Sequence, residues 1–363
     1  MVDLTRAAGV LRFIHRLVWA IFVLNLSGCG TLGYYWQASV GHLDVMVSAR
    51  PVSEVLTDPN VPEKSKEAIR YASEVRAFAS EHLHLPDNES YTNYADLGRP
   101  YVVWNVVAAP ALSLKPKLWC FAVVGCLAYR GFYDEADARH LADELRDSNY
   151  DVLVGGVRAY STLGWFADPL LNTMVSASRL YTTEVIFHEL AHQELYINDD
   201  SAYNEAFATA VSDEGLRRWL EFRGDGALSQ RAKSVQAYRS VFVTLVDDYR
   251  ERLTSLFESN QSNDEKNRRK TELYEELRDS YSQVSASWPS PKPYARFFDE
   301  DINNARLVSV ATYYHLVPAF GIMLKDSDMD LKRFYARARE VGNLNPIARR
   351  RTMGAYLERA EKQ

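Results

Sequence analysis

Residues 182–193 read Thr182-Thr-Glu-Val-Ile-Phe-His188-Glu189-Leu190-Ala191-His192-Gln193, and residues 200–209 read Asp200-Ser-Ala-Tyr-Asn204-Glu205-Ala-Phe-Ala-Thr209. On a helix, His188 and His192 stand one turn apart on one face. Two imidazoles at that spacing can meet one Zn²⁺ at about 2.0–2.1 Å. Glu189 is turned about 100° from His188, so it would touch a water beside the ion rather than the ion itself. Ile186, Phe187, Leu190 and Leu195 offer apolar packing to hold the helix, and Thr182 or Thr183 is expected to cap its start. A catalytic zinc needs a third protein ligand and an open position. Asp199 and Asp200 are candidates, and Glu205 is the better one. Asp200-Ser201 can cap a second helix, and the loop before it can return that helix beside the first. The plainer reading of Glu205 is an acid that stabilises a helix N-terminus. Thr209, one turn further on, could support a ligating histidine.

Outward from this segment, the chain alternates in character. Apolar spacing predicts helices over 62–82 and 134–148, with β-leaning runs at 101–108 and 117–128 and a strand at 151–154. That strand-helix-strand order suggests an α/β sheet over residues 30–180. Residues 181–363 read as mainly helical. Leu245, Tyr249, Leu253 and Leu256 pair with Leu273, Leu277, Tyr281 and Val284 in a helical hairpin over 240–285. Trp288-Pro-Ser-Pro-Lys-Pro293 is a stiff linker, and helices are expected again over 301–324 and 327–340. The fold class is therefore α+β and helix-rich, with a mixed sheet beside the His188–His192 helix.

The first residues form an address. Arg6, Arg12 and Arg16 precede an apolar stretch, Leu17–Leu24, too short to span a hydrocarbon layer of about 30 Å. Leu26-Ser27-Gly28-Cys29 then resembles a bacterial lipobox. Residues 1–28 are expected to be a signal peptide, Cys29 the lipidated first residue of a mature domain over 29–363, and the cell envelope its location, on the periplasmic side of the outer membrane. A short uncleaved anchor or a buried helix is the alternative. Cys120 and Cys126 remain, and in an oxidising compartment they could pair. An extended strand would hold them roughly 20 Å apart, so pairing requires a turn, and two buried thiols are the equal alternative. The 42 basic and 48 acidic residues leave a net charge of −6, so nucleic acid is not the expected partner.

His-Glu-x-x-His followed by Asn204-Glu205-Ala206-Phe207-Ala208 resembles the gluzincin metallopeptidases, whose third zinc ligand is this glutamate. Twelve residues separate His192 from Glu205, fewer than in the thermolysin-like and large aminopeptidase enzymes. The chain is more similar to the bacterial predicted-aminopeptidase lipoproteins. The similarity runs from about Tyr34 to Arg339 and includes Tyr91-Thr-Asn-Tyr-Ala-Asp-Leu-Gly98, Tyr129-Arg-Gly-Phe132, Ala159-Tyr-Ser-Thr-Leu-Gly-Trp-Phe166, Asn303-Asn-Ala-Arg306 and Val317-Pro-Ala-Phe320. The resemblance implies a zinc metallopeptidase, with peptide substrates, Zn²⁺ on His188, His192 and Glu205, and Glu189 as general base. It implies a downstream donor to the oxyanion, for which Tyr313 is preferred over Tyr314 and His315, all three of which could instead pack a core. It also implies an edge strand for substrate, with Tyr160, Ser161 and Thr162 expected there unless Gly164 makes an ordinary turn. An aminopeptidase is expected. The alternatives are an endopeptidase and a non-catalytic envelope scaffold, and no residue cluster for a substrate ammonium stands out.

Overall fold

The computed structural model describes residues 33–121 and 124–362. The lipobox, Cys29 and the basic and apolar stretches before it lie outside the described residues. Helix α1 (33–47) falls in a unit of its own, and Ser48–Gln363 forms a second compact unit.

In that second unit, β1 (Arg50–Pro51) and α2 (Val52–Thr57) lead into α3 (Glu63–Leu83), then β2 (Asn93–Ala95), β3 (Val103–Pro110), β4 (Trp119–Phe121), β5 (Gly125–Leu127) and β6 (Tyr129–Phe132). Helix α4 (Glu135–Asp147) precedes β7 (Tyr150–Val157), β8 (Leu170–Leu171) and α5 (Asn172–Val175). The central helices are α6 (Arg179–Glu194) and α7 (Ser201–Arg223). The chain ends with α8 (Gly226–Glu258), α9 (Asn263–Val284), α10 (Ala295–Asp299), α11 (Asn304–Tyr314), α12 (Val317–Asp326), α13 (Leu331–Gly342) and α14 (Pro346–Glu361).

The fold is mixed α and β, mostly helical, with small sheets. One sheet runs β1-β2-β8 and is mixed: β1 is antiparallel to β2, and β8 parallel to it. A second runs β6-β3-β7, with β3 antiparallel to both neighbours. Strands β6 and β7 therefore run parallel with β3 inserted between them. This explains the strand-helix-strand pattern and corrects the sheet inferred from it, because the direct neighbours are all antiparallel. Helix α4 packs on this sheet, and α11 lies against β3 and β7.

Helix α6 packs chiefly on α7, α3 and α5, so the sheet expected beside it is replaced by helices. Its residues Leu180, Val185, Ile186, Phe187, Leu190 and Ala191 are all buried, as befits a helix enclosed on several sides. Gly215 lets α7 approach this closely: a Cβ there would meet Phe187 at 2.7 Å and Leu83 at 2.8 Å. The start of α6 is earlier than expected, with Ser178 Oγ capping the Tyr181 N–H at 3.2 Å. Thr182 and Thr183 point their hydroxyls at the Met174 and Arg179 carbonyls instead.

The hairpin is α8 and α9. Helix α8 begins fourteen residues before 240, after Gly224 turns the chain at φ +63°. Phe242, Val246, Tyr249 and Leu253 meet Leu273, Tyr274, Leu277 and Tyr281 in one core, while Val284 is exposed. The expected helix over 301–324 is broken at His315-Leu316, where Pro318, which has no N–H to donate, opens α12.

Candidate metal centre

Helix α6 presents His188 and His192, and α7 presents Glu205. The two Nε2 atoms are 3.1 Å apart. Glu205 Oε2 lies 3.1 Å from His188 Nε2 and 3.5 Å from His192 Nε2. A tetrahedral ion with bonds of about 2.0–2.1 Å separates its donor atoms by roughly 3.3 Å. The triangle fits, and its donors are two imidazoles and a carboxylate, so the group could hold a metal ion. His192 and Glu205 are buried, and His188 is partly open.

Burial pushes the Glu205 carboxyl up, but the charge of His192 and the hydrogen bonds from His188 and His192 outweigh it and hold the group well below its ordinary value. Burial pushes His192 down, and Glu205 more than reverses that. Glu189 is also buried, and burial raises its carboxyl against the opposing pull of His188 and His192. Glu205 is thus held in its anionic form toward the imidazoles, whereas Glu189 keeps a proton more readily than an ordinary carboxyl.

The loop between the two helices is fixed from both sides. Asn204 bonds the Ile197 N–H and carbonyl, each at 2.8 Å. Asp200 caps α7 at Tyr203 and pairs with Arg349 at 2.7 Å. Asp199 accepts from the Cys126 N–H at 2.6 Å. Both aspartates considered as ligands are thus committed elsewhere. Cys120 and Cys126 face each other across the antiparallel strands β4 and β5 and are joined by a disulfide. His192 Nδ1 is buried without a protein partner among the described residues, so Thr209 does not supply one.

Tyr313 reaches the centre. Its ring lies over that of His188, with centroids 6.4 Å apart and planes 26° from parallel. The Glu205 charge and then burial push its phenol far above the ordinary value. Tyr314 turns away to Arg239, and His315 is half-exposed near Asp247. Tyr129, on β6, donates a long 3.5 Å hydrogen bond to Glu205 Oε1. Tyr129 and Tyr313 also line a cavity of about 140 Å³ between the β3–β7 face and α11.

Tyr160, Ser161 and Thr162 do not form an edge strand. They lie in a loop after β7, which turns at Leu163 (φ +56°) and Gly164 (φ +80°). Asp168 organises that loop by accepting from the Thr162 N–H at 2.9 Å. Its carboxyl is buried and pushed up to about 6, mainly by burial. Tyr91 is buried nearby: its N–H bonds the Asp168 carbonyl at 2.7 Å, and its backbone takes φ +65°, a strained state for a bulky residue. Tyr129 was missed as a neighbour of the centre, and Tyr91 and Asp168 were not singled out. The two tyrosines stand in the quoted segments Tyr91–Gly98 and Tyr129–Phe132, the one signal that could have raised them.

Residues 33–353 match the family model described as "Putative aminopeptidase". No curated protein and no solved structure matches.

Proposed function

The chain belongs to the Putative aminopeptidase family, and from that premise we propose that it is a zinc-dependent aminopeptidase acting on peptides in the bacterial cell envelope, anchored through a lipidated Cys29. The observation that carries this reading is the convergence of His188, His192 and Glu205 donor atoms within 3.5 Å, with the buried Glu189 beside them. The anchor is supported by the Leu26–Cys29 motif alone.

Zinc held there would supply Lewis-acid polarisation of the scissile carbonyl and a water of lowered pKa. Glu189 accepts the proton of the attacking water and passes it to the departing amine; its raised carboxyl pKa suits both steps. The Tyr313 phenol stays protonated because a neighbouring anion and burial oppose its ionisation. It is therefore a hydrogen-bond donor for the oxyanion at any working pH. Tyr129 holds Glu205 Oε1 so that Oε2 remains turned to the imidazoles. The cavity beside Tyr129 and Tyr313 gives room for a substrate side chain.

The test is Glu189→Gln in the full chain. Bound metal per chain is expected to match the wild type, while kcat/KM on L-leucine 4-nitroanilide falls about 10²–10⁴-fold. Hydrolysis undiminished in the variant, or wild-type protein that retains no metal, would overturn the reading.

A further inference from the structure

The buried carboxylate of Asp168 stands apart from the metal ligands and is only half used. Oδ2 takes the Thr162 N–H and the Ser161 and Thr162 hydroxyls lean on the carboxyl, whereas Oδ1 is buried with no hydrogen-bond partner among the described residues. The Tyr91 hydroxyl is likewise buried and has no partner among the described residues. The two side chains are 1% and 2% exposed. Buried acceptors without a partner are rare and costly, so two in one place point to a ligand.

The backbone assigns both groups to the neighbourhood of Glu189. Gln193 stands one turn beyond Glu189, on the same face of α6. Gln193 Nε2 donates to Ser90 Oγ at 3.2 Å, and Asn88 Nδ2 donates to Gln193 Oε1 at 2.7 Å. Gly164 packs on the same side chain. Segments 88–91 and 160–168 therefore cover the face of α6 that carries Glu189, and the Tyr91–Asp168 backbone bond ties them together. The charge of Glu189 is felt by both the Tyr91 phenol and the Asp168 carboxyl.

We propose that Asp168 and Tyr91 bind the α-ammonium of the substrate, making Asp168 the residue that restricts cleavage to free N-termini. An ammonium brings a positive charge and three N–H donors, and Asp168 Oδ1 and Tyr91 Oη would accept two of them. The site lies beside the general base, where the first residue of a peptide must sit if the bond after it is cut. The ligand class is thus a peptide with an unblocked amino terminus. This inference rests on the peptidase reading of the same centre.

The experiment compares binding of L-leucine hydroxamate and of isocaproic hydroxamate, the same molecule without its amine, to metal-loaded full-length protein by calorimetry. The wild type is expected to prefer the amine about 30-fold or more, the scale of a buried charge pair. Asp168→Asn keeps an acceptor for Thr162 but removes the charge. It should bring that ratio near one and leave the affinity for isocaproic hydroxamate unchanged. Equal weakening of both probes would mark a structural role and overturn the proposal, as would an unchanged ratio. Should Asp168→Asn fail to fold, Tyr91→Phe decides: a ratio lowered about 3-fold or more supports the site, and an unaltered ratio sinks it. Wild-type protein that binds both hydroxamates alike and cleaves N-acetylated peptides loses this inference and keeps the peptidase. Wild type that binds neither probe and cleaves nothing loses both.

Discussion

Tyr313 and Tyr314 are adjacent in sequence and serve different neighbourhoods. One ring lies over His188 and the other meets Arg239. The 100° step of a helix forces such a choice, and only the packing of α11 decides which residue reaches the centre. If Tyr313 donates to the oxyanion, Tyr313→Phe should lower kcat about 10²–10³-fold on L-leucine 4-nitroanilide with KM nearly constant. A parallel rise in KM would assign it to substrate binding instead. The convergence of His188, His192 and Glu205 was legible at this scale because helix geometry converts spacing directly into position. The link between Asp168 and Tyr91 was not, because these residues are far apart in sequence and meet only when the chain folds.

Helix α6 also carries a group that makes stability depend on pH. The Glu184 carboxyl is pushed up to about 7 from its ordinary 4.5, mainly by burial, with Arg239 opposing. The folded protein thus keeps a proton that the unfolded chain releases between pH 4.5 and 7, so stability falls as pH rises through that window. Glu184→Gln is always neutral and should remove this loss. Since the side chain is 29% exposed, screening leaves an expected gain of about 1–2 kcal/mol at pH 8 and none near pH 4.5. Urea melts at the two pH values would check it, and an equal gain at both would show that charge is not the cause. Elements with strong apolar periodicity, such as α3, α4 and α9, were legible to within a residue or two. The break between α11 and α12 was not, because an apolar run reads the same in one buried helix as in two.

In the Ser48–Gln363 unit, the hairpin is tied to the sheet through a few buried polar groups. Asp151 Oδ2 on β7 takes Lys270 Nζ of α9 at 2.7 Å and the Asn304 N–H at 2.8 Å. Asn304, fully buried, receives the Tyr274 hydroxyl at 2.5 Å and donates to the Pro110 carbonyl at 2.9 Å. Asp151→Ala takes the carboxylate from a mostly buried ammonium, which keeps only the Ala111 carbonyl at 2.8 Å, and leaves the Asn304 N–H without its acceptor. It should cost about 3 kcal/mol, read as a lower urea midpoint with unchanged slope. A change below about 0.5 kcal/mol would show that the hairpin docks by apolar contact alone.

Residue spacing alone carried helices α3, α4 and α9, the cap at Asp200, and the two-helix arrangement that gathers His188, His192 and Glu205. Each of these depends on residues within about twenty positions of one another, where backbone geometry is nearly the only variable. Only the packed chain chose α7, α3 and α5 as the main neighbours of α6, inserted β3 between β6 and β7, paired Cys120 with Cys126, and brought Tyr129 and Tyr313 to the centre. Those contacts link segments far apart in the chain, and only the collective burial of apolar surface chooses among the ways of bringing them together.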